Sequence, residues 1–123
     1  LGYVRALQPG DQVKALRGIY AHHAIYVGNG WLIEFGGGLG GGPVSWVRWD
    51  VFQNGDQVVL VRAGGDLAVN RAVSQLGRND FNLVSSNCEH FANWCTTGDW
   101  ASSQVWAAGT VAVLVALMIV SSA

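Results

Sequence analysis

The chain has 123 residues, a formal net charge of −1 and only 12% charged residues. That length suits one domain with a buried core and is too short for two ordinary ones, and the six arginines and single lysine are scattered, so RNA binding is unsupported by charge. Seventeen glycines and six tryptophans beside so few charges imply a surface that lipid or protein partly covers.

Taken in chain order, Gln8-Pro9-Gly10-Asp11 is a turn cluster, followed by Gln12–Leu16 and then by 18–27, whose β-branched and aromatic content reads as a strand. Gly28-Asn29-Gly30 separates that strand from Trp31–Phe35 and signals a hairpin. The glycine tract 36–43 lacks both the Lys-Ser/Thr and the strand-to-helix setting of a phosphate cradle, so a flexible loop is expected. Two more strands are expected at 44–52 and 57–63, around Gly55.

The period then changes. Val69, Ala72, Val73 and Leu76 fall at helical spacing, with Asp66 as the expected N-cap and Gly77 as the stop. Residues 81–84 read as a short strand. Ser86 and Glu89 have capping-box spacing, Gly98 can end the helix they open, and Cys88 falls in its first turn. From Ala101 to Ala123 there is no charge, and Val105–Val120 is apolar or weakly polar throughout, with Ala108, Ala112 and Ala116 as a small-residue stripe. The run is just short of the roughly 20 residues that span a bilayer, so a membrane helix and a buried terminal helix both stand.

Cys88 and Cys95, if on one helix, are about 10 Å apart and beyond disulfide reach; two free thiols fit a reducing compartment. The first sixteen residues contain no apolar signal core and do not start with methionine, as expected of a piece cut from a precursor.

A helix N-terminus favours a thiolate, which makes Cys88 a candidate nucleophile. His90 lies roughly 200° around the helix from it and reads as structural. A base must then come from the hairpin, where His22 and His23 face opposite sides. With a two-residue loop Glu34 pairs with Ile25 and shares a face with His23; with three residues, a type I turn with Gly30 as the left-handed bulge, Glu34 pairs with Ala24 and lies diagonal to His22. The second register is favoured, giving Cys88, His22 and Glu34 as nucleophile, base and orienter. Spacing alone does not separate this set from two strand histidines and a buried cysteine. A zinc site would need an unusual backbone, because its candidate ligands diverge, and no metal or cofactor is expected.

The segments His22–Phe35 (HHAIYVGNGWLIEF) and Asn87–Gly98 (NCEHFANWCTTG) resemble the H-box and NC motifs of the lecithin:retinol acyltransferase-like family. Leu7–Asp11 and Asn70–Gly77 match the flanking family segments in order. The resemblance implies an α+β fold, an antiparallel β-sheet packed on helices, of the circularly permuted NlpC/P60 (papain-like) type. Residues 1–98 would form the H-box/NC domain, and 99–123 a hydrophobic segment ending in a C-terminal helix. It also implies Cys88 as nucleophile and His22 as base, with Glu34 where the family usually has histidine, and Asn87, Glu89, His90, Tyr26 and Gly30 as motif support. The glycine-rich insert and short length are similar to H-box/NC proteins released from picornavirus polyproteins, such as those of kobuviruses and parechoviruses. That similarity implies a nonstructural protein acting in genome replication at cytoplasmic host membranes, with little or no catalysis; the alternative is an active cysteine phospholipase/acyltransferase forming an acyl-thioester on Cys88. The expected partners are membrane or phospholipid through 105–120, host or viral replication proteins, and further copies of the chain.

Overall fold

Alternating apolar residues in the first half of the chain demand a sheet with two covered faces, because side chains along a strand point alternately up and down. A computed structural model, describing residues 5–37 and 41–101, shows that sheet. Its strands are β1 (Gln12–Arg17), β2 (Tyr20–Gly28), β3 (Trp31–Phe35), β4 (Val44–Arg48) and β5 (Val58–Arg62). They are antiparallel, in the order β4-β3-β2-β1-β5. Ile25, Ile33, Phe35 and Val44 pack with Ala68 and Ala72 of helix α2 (Gly65–Ser74) and with Phe91, Ala92 and Cys95 of helix α3 (Cys88–Thr97). Val13, Ala15, Ala24, Leu32 and Val47 form a second cluster with Phe52 of the short helix α1 (Trp49–Gln53). The molecule is therefore α+β, with β2 at the centre of its sheet.

The hairpin register is the favoured one, since Ala24 stands opposite Glu34, but its cause differs from the expected turn. Asn29 and Gly30 both have positive φ, 54° and 79°, and form a two-residue turn closed by Gly28 and Trp31. The odd residue sits at Val27, where the pairing shifts between Tyr26 and Gly28. One extra residue on β2 gives the same offset wherever the bulge lies. Gly30 is held from both sides: its N–H donates to the Tyr26 hydroxyl at 3.2 Å and its carbonyl accepts from Trp49 N at 2.9 Å.

Several expectations are corrected. The stretch after Arg48 is α1 rather than more strand: Phe52 turns into the second core and Asn54, at φ 50°, ends the helix. β4 and β5 consequently lie on opposite edges of the sheet. Helix α2 begins after Gly64, not Asp66, which sits in the first turn where its charge suits the helix dipole. Its buried stripe is Ala68 and Ala72, and Val73 is exposed. These two alanines join the core shared with Phe91, Ala92 and Cys95 of α3. Residues 81–84 form no strand; the Asn82 side chain accepts from Val84 N and Ser85 N, and a local turn competes successfully with sheet pairing. The N-cap of α3 is Asn87 rather than Ser86, and its reciprocal partner is His90 rather than Glu89; Gly98, at φ 85°, ends the helix as expected.

The glycine tract is tied where it is described, with Gly36 N on Pro43 O at 3.2 Å and Gly37 N on Gly41 O at 2.8 Å. The expected hydrophobic C-terminal helix, including Val105–Val120, lies outside the described residues, among which no helix is long and apolar enough to cross a membrane.

Candidate active site

The register that pairs Ala24 with Glu34 puts His22 diagonal to the carboxylate, and the two side chains meet: His22 Nε2 is 2.7 Å from Glu34 Oε1. The other ring nitrogen, Nδ1, is buried without a hydrogen-bond partner among the described residues. Cys88 opens α3 beside it, with Sγ 3.9 Å from the carbonyl of Ala21, the residue preceding His22. Cys88 is 5% exposed and is not disulfide-bonded.

Burial alone would push the His22 pKa down. It is outweighed by the Cys88 side chain and by the Glu34 carboxylate, and the pKa rises to about 9. An imidazole with a carboxylate on one nitrogen and a cysteine side chain close enough to raise its pKa can hold a proton at neutral pH and exchange it with a thiol.

The start of α3 is rigidly built. Asn87 Oδ1 accepts from Glu89 N at 2.9 Å and from His90 N at 3.0 Å, Asn87 N donates to His90 Nδ1 at 3.1 Å, and Asn87 Nδ2 donates to Leu83 O at 2.9 Å. His90 also stacks on Trp100, with centroids 5.8 Å apart, and burial lowers its pKa. It faces the capping network rather than Cys88.

His23 points to the other face of the sheet. Its Nδ1 is 3.0 Å from Gln12 Nε2 and its Nε2 is 3.9 Å from Glu89 Oε2. Gln12 in turn donates to Asn93 at 2.8 Å and accepts from Arg62 and Thr96, each at 2.7 Å, so this network ties the sheet to α3. Burial holds the His23 pKa well down; the Glu89 carboxylate opposes that, while Lys14, His22 and Arg62 reinforce it. Cys95 is the inert thiol, since burial pushes its pKa up to about 12 against the pull of Arg71.

A cleft of about 320 Å³ opens onto the site, lined by Arg17, Tyr20, His22, Glu34, Gly37, Val51 and Asn54. Arg17 does not make it an anion trap. Its Nε pairs with Asp56 at 3.2 Å, its NH2 donates to the Phe52 carbonyl, and its guanidinium lies over the Phe52 ring.

These opposed histidines set a pH dependence. His22, raised in the fold, contributes stability that is complete below about pH 6.5 and is lost as pH climbs through about 9. His23, depressed in the fold, contributes stability that is complete above about pH 6.5 and is lost as pH falls through its lowered pKa. Denaturant midpoints measured between pH 4 and pH 10 are expected to peak near pH 6.5, with each flank worth on the order of 3 kcal/mol. Replacing His23 with phenylalanine should shrink the acid flank to the part that His90, also lowered by burial, contributes, and leave the alkaline flank in place.

The lecithin retinol acyltransferase family profile matches residues 5–45 and 47–101. The chain belongs to that family. It is 30% identical to human phospholipase A and acyltransferase 2, over 92% of this chain and 85% of that protein. It is 28% identical to phospholipase A and acyltransferase 3 of Homo sapiens and of Pongo abelii, over 80% of this chain and 75% of theirs. The similarity covers both segments that meet at the site, the β2–β3 hairpin and α3.

Sequence reasoning brought the three side chains together but missed what surrounds them. Asn87 and His90 have cap spacing without the usual Ser/Thr and Glu/Gln signature. The cleft residues Tyr20 and Asn54, and the Gln12 network on His23, carried no sequence signal, because they are assembled from separate strands and loops.

Proposed function

We propose that the protein is a thiol-dependent phospholipase/acyltransferase acting on acyl esters of glycerophospholipids at membranes. The observation that carries this reading is the His22–Glu34 contact of 2.7 Å, which leaves the second imidazole nitrogen for Cys88. Cys88 Sγ attacks the ester carbonyl carbon; a carbon–sulfur bond forms and the carbon–oxygen ester bond breaks, with His22 delivering its proton to the departing lysophospholipid oxygen. Water or an amine then attacks the thioester, gives a proton to His22 and releases Cys88. The Cys88 N–H, the one in the first α3 turn that the Asn87 cap does not claim, supplies an oxyanion donor, and Glu34 keeps the imidazole in its working tautomer. Tyr26 and Gly30 brace the hairpin that carries His22. The relatives' designations as phospholipase A and acyltransferase support the reaction class, and the sheet-and-helix arrangement supports a permuted NlpC/P60 relationship.

The test is substitution at position 34. Glu34→Gln is expected to slow fatty-acid release from phosphatidylcholine by on the order of 10²–10⁴-fold, because the amide no longer favours the imidazolium, while Glu34→His should restore most of the rate. Equal rates in the native and Glu34→Gln chains would remove Glu34 from the mechanism.

Glu34 in the usual histidine position also supports a second reading, a picornaviral nonstructural protein. On this reading the fold serves genome replication at cytoplasmic host membranes through host or viral protein contacts, self-association included, and residues 105–120 hold it there. Normal replication of a virus carrying Cys88→Ser would favour this reading, and loss of replication with unchanged folding would favour the enzyme.

A further inference from the structure

We infer that Ile19, Leu83 and Val84 form a docking rim that seats the site on a zwitterionic phospholipid surface, an inference that rests on the phospholipid substrate proposed above. Scattered exposed apolar residues need no explanation, but three at the tips of two turns beside one nucleophile do.

The first turn, Gly18-Ile19, joins β1 to β2 and is closed by Arg17 and Tyr20. Gly18, at φ 66°, takes the strained position, and Ile19 is fully exposed at the tip. The next residues on that strand are Tyr20, which lines the cleft, and Ala21, whose carbonyl meets Cys88 Sγ. The second turn carries Leu83 and Val84, 57% and 66% exposed. It is fixed at its base: Asn82 and Ser86 pair through their backbones, Phe81 packs against Phe35 at 5.5 Å, and the Leu83 carbonyl is held by Asn87, the residue before Cys88. Both turns thus carry apolar tips: the first lies two residues before Ala21, whose carbonyl meets Cys88, and the second is held by the residue before Cys88.

The charge pattern decides the occupant. Residues 18–27 and 81–88 contain no Asp, Glu, Lys or Arg, so neither turn has to strip a charge of water to enter a lipid interface. The second turn also holds the Trp100 indole, whose Nε1 donates to Ser85 O at 3.1 Å. An uncharged rim suits the phosphatidylcholine surface that holds the proposed substrate, and it needs no anionic headgroup.

The test uses the full chain with Cys88→Ala and one new cysteine, Ile19→Cys or Val84→Cys, labelled with a polarity-sensitive fluorophore; Cys95 is fully buried and stays unlabelled. On phosphatidylcholine vesicles both probes are expected to brighten and shift to the blue, equally at low and high salt, while an Asn70→Cys probe on α2 keeps its aqueous spectrum. Ile19→Glu combined with Val84→Glu should weaken vesicle partitioning by about tenfold or more. Aqueous spectra at both positions, or a response that needs anionic lipid and disappears in salt, would overturn the rim. Because the labelled chains lack the thiol, a failed acyl-release assay would count against the reaction and leave this measurement standing.

Discussion

Replacing Cys88 with alanine is expected to lower acyl release from phosphatidylcholine by on the order of 10⁴-fold or more, leaving no covalent intermediate. The size follows from the division of labour at the site. In the proposed mechanism His22 and Glu34 manage a proton, and neither can take an acyl group in place of the sulfur once the thiol is gone. The fold should change little: Sγ makes a 3.9 Å contact with the Ala21 carbonyl and sits beside His22, whose raised pKa it supports, so the stability change should stay at about 1 kcal/mol. Rates compared at equal folded fraction, checked by near-ultraviolet circular dichroism, test the point. Retention of more than about a tenth of the native rate would assign the chemistry to another group.

The largest effect on stability is expected at Phe91. Its ring is fully buried, packs edge-on against Phe35 at 6.1 Å, and belongs to the core cluster shared by the sheet, α2 and α3. Phe91→Ala should cost about 3–5 kcal/mol, the transfer term for the lost ring plus the cavity it leaves. Because Phe91 lies one turn along the helix that Cys88 opens, any collapse into that cavity should also move the nucleophile. Urea unfolding is therefore expected to show a lower midpoint at an unchanged slope, together with slower acyl release in the fraction still folded. A cost below about 1 kcal/mol would mean that α3 is not seated as described.

The elements with a strong period were legible in the sequence. The hairpin, the helix at Cys88 and the pairing of Ala24 with Glu34 follow from alternation, turn glycines and the spacing across Gly28-Asn29-Gly30. Legibility failed where tertiary contact overrode local pattern. Residues 49–52 have the composition of a strand, yet Phe52 is drawn into the second core and the chain coils to reach it. Leu83 and Val84 look like a strand, yet the Asn82 side chain accepts from Val84 N and Ser85 N, and the turn so formed leaves both apolar side chains in solvent. On α2 the buried face is the alanine one, Ala68 and Ala72, packed in the core with Phe91, Ala92 and Cys95 of α3.

The candidate site was legible for a different reason: its members sit on elements whose geometry is nearly fixed by spacing. A histidine diagonal to a glutamate across a hairpin, and a cysteine at the first position of a capped helix, need only one long-range contact to converge. Ala21 supplies that contact. The cap itself was misassigned by one residue, because serine and glutamate at 86 and 89 imitate the pattern that Asn87 and His90 fulfil. What His23 does instead required the structure, since only there does Gln12 claim it.

Intact-protein mass spectrometry of the native chain, taken shortly after mixing with phosphatidylcholine vesicles and followed by peptide mapping, addresses the acyl-transfer mechanism most directly. The mechanism predicts one fatty-acyl increment, labile to hydroxylamine, on the peptide containing Cys88 and absent from the one containing Cys95 when the two are separated by cleavage. A folded chain that turns over or binds the lipid without ever carrying that increment on Cys88 would contradict it.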